Sequence, residues 1–278
     1  MFIWLASYPK SGNTLVRALL SSYFFSKDGI FNFKLIKNIK QFPNAGLFEN
    51  LGIDIGNDKE VVKNYIKVQE SINQKNSIQF LKTHSYLFNI DNNPFTDLNN
   101  TLGAIYIVRD PRNVVLSFAH HYDLNIDKAT DTMIDNSRFM NKTDKNSRVY
   151  LGSWSFNYNS WKNLEFNKKY FLIKYEDLVN KKKTSLLKIF KFLQSLGMKF
   201  NLDMIKLNKA IKSTDFNTMK IQEQKEDFKE ALLDLKTGKR KIFFNLGPKN
   251  DWRRYLDPKN ISKIEEAFKK EMIELGYL

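Results

Sequence analysis

Cysteine is absent from the 278 residues, which removes disulfide staples, thiolate metal ligands and cysteine nucleophiles together and fits a reducing compartment. No window approaches the roughly 18 uncharged apolar residues that a membrane-crossing helix needs. The first ten residues place their first charge, Lys10, after a short apolar run, the reverse of the order in a secretory leader. The expectation is therefore a cytoplasmic protein without an export signal or membrane insertion. There is no internal repeat, no low-complexity linker, and no clustered His/Cys/Asp/Glu set with metal-ligand spacing, so no metal is expected. What is present is apolar and basic. Hydrophobic residues make up 42% and aromatics 14%, which excludes a disordered chain, a collagen-like repeat and a coiled coil. The net charge of +15 is compatible with nucleic acid, an anionic surface or a phosphorylated ligand, and does not choose among them.

Four short apolar runs, residues 2–6, 78–81, 102–108 and 170–173, lack the period-two alternation of a half-exposed strand and are followed by helical patterns. Such runs suit parallel strands buried on both faces. Strands alternating with helices indicate an α/β fold: one domain over residues 1–278, with a central parallel sheet flanked by helices. Asp110-Pro111 puts a capping carboxylate before a proline at the first helical position. Asp257-Pro258 repeats the device ahead of Ile261, Ile264, Phe268, Met272 and Leu275, with Gly276 placed to close that helix. Trp154, Tyr158 and Trp161 recur at helical spacing and read as a core face. Residues 27–75 and 123–150 are polar, weakly periodic and longer than ordinary connections, the pattern of lids or binding loops.

Between the first strand and a helix beginning near Asn13 lies Tyr8-Pro9-Lys10-Ser11-Gly12-Asn13-Thr14. A strand, a tight glycine turn and a helix amino terminus present free N–H groups and a dipole that favour phosphate, and Lys10 adds a positive charge. The segment is not a Walker A loop, because Lys10 precedes the glycine instead of following it. A lysine and polar residues that merely end a strand is the alternative on this segment alone.

The order of these residues resembles the 5′-phosphosulfate loop of sulfotransferases that use 3′-phosphoadenosine 5′-phosphosulfate (PAPS), the cytosolic type, where a YPKSGTTW-like string follows the first strand. Further matches run in family order: Leu81-Lys82-Thr83-His84, Ile107-Val108-Arg109-Asp110-Pro111-Arg112 through Ser117, Gly152-Ser153-Trp154, Tyr175-Glu176-Asp177-Leu178, residues 213–220, and Gly247 with Asp251-Trp252-Arg253. The resemblance implies a P-loop-kinase-like fold and transfer of a sulfuryl group from PAPS to a hydroxyl or amine by in-line displacement, with no metal. It implies His84 as catalytic base, and Lys10 and Lys82 as catalytic cations. It places the 5′-phosphate on Lys10, Ser11, Gly12, Asn13, Thr14 and Leu15, the 3′-phosphate on Arg109 and Ser117, and adenine near Tyr175, Thr214 and Phe216. Asn245, Leu246 and Gly247 fall on a further phosphate loop. An ion pair with Asp110 is the structural alternative for Arg109, and His120-His121 read as surface or lid residues.

One departure concerns charge. Where the family loop RKGxxGDWK has Arg-Lys before its first glycine, this chain has Asn245-Leu246, and Asn250 replaces the second glycine. Cations nearby, at Lys239, Arg240, Lys241 and Lys249, suggest that Arg240 or Lys249 supplies the missing charge. The competing classes are a P-loop nucleotide kinase, disfavoured by the lysine placement, and a non-catalytic nucleic-acid-binding protein. The latter is motivated by the net charge, yet the densest basic stretch, residues 236–254 with Lys236 among them, coincides with the phosphate loop. The expected partners are PAPS or its product, adenosine 3′,5′-bisphosphate (PAP), and a small-molecule or saccharide acceptor whose identity the sequence leaves open.

Overall fold

Strand β1 (Phe2–Ser7) is buried along its whole length because its side chains feed two cores at once. Phe2, Trp4 and Ala6 enter one hydrophobic cluster, while Ile3 and Leu5 enter the other. A strand with apolar layers on both faces has no polar positions to alternate with. In this computed structural model, residues 1–73, 77–164, 168–226, 228, 230–231, 238 and 240–278 are described. Beside β1 run β2 (Lys40–Gln41), β3 (Gln79–Thr83), β4 (Thr101–Val108) and β5 (Tyr170–Lys174). They form one five-stranded parallel sheet in the order β2-β3-β1-β4-β5. All carboxyl ends therefore lie along one edge, where open parallel sheets bind ligands.

Helices connect the strands as the sequence signals predict. α1 (Asn13–Phe25) follows β1, and α2 (Pro111–Tyr122) follows β4 with the Asp110 carboxylate accepting the Arg112 N–H at 2.9 Å. α3 (Trp154–Lys162) buries Trp154, Tyr158 and Trp161 in the core, and Trp161 donates its indole N–H to Ser85 O at 2.9 Å. α4 (Tyr175–Asn180) follows β5, with α5 (Met204–Ser213) and α6 (Phe216–Lys225) beyond it. α7 (Pro258–Glu274) is capped by Asp257, which accepts the Asn260 N–H at 2.9 Å, and Gly276 follows at φ 65.

Two long segments differ from their reading as irregular loops. Residues 27–75 contain β2 and helices at Ala45–Glu49, Asp58–Lys63 and Tyr65–Asn73, and residues 123–150 contain a helix at Ile126–Ile134. Elements this short complete too few turns for a period to emerge from a polar background. Parts of both segments nonetheless border the cavity at the sheet edge, as a binding-loop reading requires.

Candidate functional site

The turn after β1 is shaped by backbone conformation. Gly12 stands at φ 106 as the residue before α1, and a Cβ there would lie 2.4 Å from Tyr175 Cδ2, so only glycine fits. No side chain caps α1. Leu15 N–H already reaches Gly12 O at 3.0 Å, which leaves the Asn13 and Thr14 N–H groups without a partner among the described residues. Asn13 ties the turn to β1 by donating from Nδ2 to Leu5 O at 2.8 Å and Ser7 Oγ at 3.2 Å. Lys10, Gly12, Asn13, Thr14 and Leu15 line a cavity of about 1200 Å³. Ser11 does not: it is fully buried, outside the wall, and its Oγ has no hydrogen-bond partner.

His84, just past β3, also lines this cavity. Its Nδ1 lies 2.7 Å from Ser7 O, and because a carbonyl only accepts, Nδ1 carries the proton and Nε2 keeps its lone pair. Burial and then the neighbouring Lys82 push its pKa down to about 3. Asn157 on α3 fixes the His84 backbone, donating to His84 O at 2.9 Å. Lys82 is buried at the end of β3, and burial lowers its pKa to about 8. Lys10 Nζ sits 3.8 Å over the Phe243 ring, and burial followed by repulsion from Lys82 lowers its pKa to about 7. Burial thus weakens the hold of both ammonium groups on their protons, and Lys82 repels Lys10 further.

The anion the structure does provide is Glu230, which sequence reasoning does not find. Its carboxylate accepts from Thr14 Oγ1 at 3.2 Å, pairs with Arg17 Nη1, and stands 4.0 Å from Lys82 Nζ. Burial opposes its ionisation, yet Lys82 and Arg17 hold it well below the ordinary carboxylate range. Arg17 is also missing from the sequence reading, although it lies three residues after Thr14 and so on the same face of α1. Its Nη2 donates to Ile36 O and Ile39 O at 3.2 and 2.9 Å.

Across the sheet, Arg109 leaves β4 with its guanidinium 4.3 Å from the Tyr175 ring centroid and donates to Lys10 O at 3.2 Å. It is not paired with Asp110, whose carboxylate is held by Arg112 at 2.8 Å. Arg109 and Ser117 share the cavity wall with Tyr175, Thr214 and Phe216. The Thr214 hydroxyl is engaged with Ala210 O at 2.7 Å. Asn245, Leu246 and Gly247 complete this end, Gly247 lying so close to Phe216 that a Cβ would be 2.3 Å from its ring.

The expectation that Arg240 or Lys249 replaces the missing cations is corrected. Neither lines the cavity: Arg240 donates to Ala231 O at 2.9 Å and Lys249 is exposed. Lys241 pairs with Asp123 at 2.9 Å, while Lys236 and Lys239 lie outside the described residues. The reason is packing, since Phe243 and Phe244 take the inward positions against Phe228. The lysine that does border the Thr214 end is Lys182, its Nζ 3.3 Å from Thr214 O. Both members of the histidine pair border the cavity, His120 exposed at its rim and His121 edge-on to Phe243 at 5.8 Å. Among the described residues no group of three or more His, Cys, Asp or Glu could hold a metal, and no helix is long and apolar enough to cross a membrane.

A large cavity that gathers a histidine, two lysines and the amino terminus of α1 suits group transfer, and the sulfotransferase domain family matches residues 2–276. The chain belongs to that family. Over 270 residues it is 23% identical to sulfotransferase 1E1 of Rattus norvegicus, covering 96% of this chain and 82% of that one. To the amine sulfotransferase of Oryctolagus cuniculus it is 23% identical over 177 residues, 63% of this chain and 56% of the relative. Its fold is shared with mouse sulfotransferase SULT7A1 complexed with PAP, at a TM-score of 0.60 and 22% identity over 97% of this chain and 84% of that one. It is shared equally with retinol dehydratase in complex with androsterone and inactive cofactor PAP, at a TM-score of 0.59 and 16% identity over 98% and 80%. As a sulfotransferase the chain is an enzyme of sulfuryl transfer with PAPS as donor.

Proposed function

We propose that this sulfotransferase passes the sulfuryl group to a hydroxyl or amine of a small-molecule acceptor, with His84 Nε2 as the base that takes the acceptor's proton. The observation that carries the reading is the Nδ1 contact to Ser7 O, which leaves the Nε2 lone pair available beside Lys10 and Lys82. The residues present fit the donor: two N–H groups at the Gly12 turn are free among the described residues, the buried Arg109 Nε has no partner, and both border one cavity. When bound, PAPS supplies an SO₃ group on a phosphate leaving group.

Everything else is the work of the chain. Asn13 and Thr14 N–H groups and the helix dipole hold the 5′-phosphate. Lys10 and Lys82 regain full charge opposite an anion and neutralise the oxygens on which charge develops, the larger share of catalysis in transfers of this kind. Arg109 offers a planar fork and Ser117 a hydroxyl to the 3′-phosphate, and Tyr175 steadies the guanidinium from below. Ser7 and Asn157 hold the His84 ring and backbone. The low proton affinity of His84 rises once Lys82 faces an anion, so the base strengthens when the donor is in place.

Transfer of label from ³⁵S-PAPS to a panel of phenols, alcohols, amines and saccharides tests the reading. His84→Ala lowers turnover about 10²–10⁴-fold while PAP affinity holds. Near-normal turnover in that variant removes His84 from the base role.

A further inference from the structure

The sheet order sorts the cavity into two halves. Arg109 follows β4 and Tyr175 follows β5, His84 follows β3, and beyond β3 lies only β2 among the described strands of this sheet. β2 carries Lys40 and Gln41 in register with Leu81 and Lys82. The wall past His84, away from the nucleotide half, is therefore where an acceptor enters, and it is a row of lysines. Lys34, Lys37 and Lys40 line it at three-residue intervals across the 3₁₀ turn Leu35–Asn38. Lys34 and Lys37, three apart at the turn, share a face, and Lys40 follows after the extended Ile39 on β2.

This row is held in place. Arg17 grips Ile36 O and Ile39 O from beneath, and the Ile36 and Ile39 side chains are buried, so the intervening lysines face outward. Lys145 joins them, its carbonyl accepting the Ala45 N–H at 2.8 Å. All four ammonium groups are exposed and have no ion-pair partner among the described residues. Asp144 and Glu226 are exposed carboxylates on the same cavity wall; Asp215 is engaged with the Asn217 N–H, and Glu230 with Arg17. A positive rim with low-dielectric walls raises the local concentration of anions at its mouth.

We infer that the acceptor is multiply anionic, an alcohol or saccharide bearing carboxylate or phosphate groups away from its reacting hydroxyl, and that Lys34, Lys37, Lys40 and Lys145 recognise those groups. The inference rests on the proposed sulfuryl transfer. Lysine presents a point charge without the bidentate fork of arginine, so the rim reads charge and not carboxylate or phosphate geometry.

Calorimetry on the PAP-loaded protein at low salt tests it with two matched pairs: trigalacturonate against its methyl ester, and fructose 1,6-bisphosphate against fructose. At least one anionic probe binds about 10-fold or more tightly than its neutral partner, from three or four exposed charge contacts. That preference closes in the triple variant Lys37→Gln, Lys40→Gln, Lys145→Gln, while PAP affinity changes less than about 2-fold, since Lys40 stands on β2 and Lys145 beside Ala45, past β3 from Arg109 and Tyr175. Equal binding within both pairs, or no binding of either anion, overturns the inference while tight PAP binding leaves the sulfotransferase reading standing. Failure of the wild type to bind PAP overturns that reading instead. Binding of a single-stranded oligonucleotide that the triple variant loses, with neither anion bound, also overturns it and assigns the rim to nucleic acid.

Discussion

Lys10 and Lys82 make a quantitative test possible because burial holds their pKa values near 7 and 8 in the free protein. A phosphate between them restores both toward the ordinary lysine value, so PAP binding must take up protons. At pH 8 Lys10 is largely and Lys82 partly neutral, which gives an uptake of about one proton per PAP bound. The phosphates of PAP are themselves fully ionised there and release none. At pH 6 both lysines are already charged and their share of the uptake falls to about 0.1. PAP affinity therefore weakens as pH rises from 7 to 9. Binding enthalpies measured in buffers of different ionisation enthalpy read the proton number as a slope, and Lys82→Met lowers it twice over, by removing that group and by lifting its repulsion from Lys10. A zero slope at pH 8, or proton release, refutes the picture of two lysines whose protonation burial weakens and a bound phosphate restores.

Other perturbations test separate parts of the site. Arg109→Ala weakens PAP by about 10–150-fold but adenosine 5′-monophosphate little, the loss of a charge-assisted contact; equal weakening of both assigns Arg109 to the fold. Gly12→Ala forces a Cβ to 2.4 Å from Tyr175 at a left-handed position, costing about 1–3 kcal/mol of stability by thermal melting and displacing the ring beneath Arg109. Unchanged PAP affinity in that variant means the turn tolerates a side chain. Glu230→Gln, titrated with PAP at pH 6.5 where Lys82 is charged, removes a carboxylate from the anion site and tightens binding severalfold, while leaving Arg17 buried without its partner and lowering the melting temperature. Unchanged affinity denies Glu230 any competition with phosphate.

What the sequence reveals is what is contiguous. β1, the glycine turn and the start of α1 occupy one run of residues, so Lys10, Gly12 and Thr14 can be read together, and Asp110-Pro111 and Asp257-Pro258 announce their helices within two residues. β2 escapes because it is two residues long with Lys40 exposed, and only its pairing with Leu81 and Lys82 makes it a strand. The Arg17–Glu230 contact joins positions far apart in the chain, so no local pattern encodes it. The 240–250 segment misleads because counting its cations ignores Phe243 and Phe244, which take the cavity wall against Phe228 while Lys249 stays exposed.

The central claim, a site built for a nucleotide phosphorylated at both ends of its ribose, is tested most directly by one calorimetric comparison in a metal chelator. PAP binds the wild-type protein at least about 10-fold more tightly than adenosine 5′-monophosphate or ATP, with proton uptake at pH 8. Binding of ATP that equals or exceeds that of PAP contradicts the account.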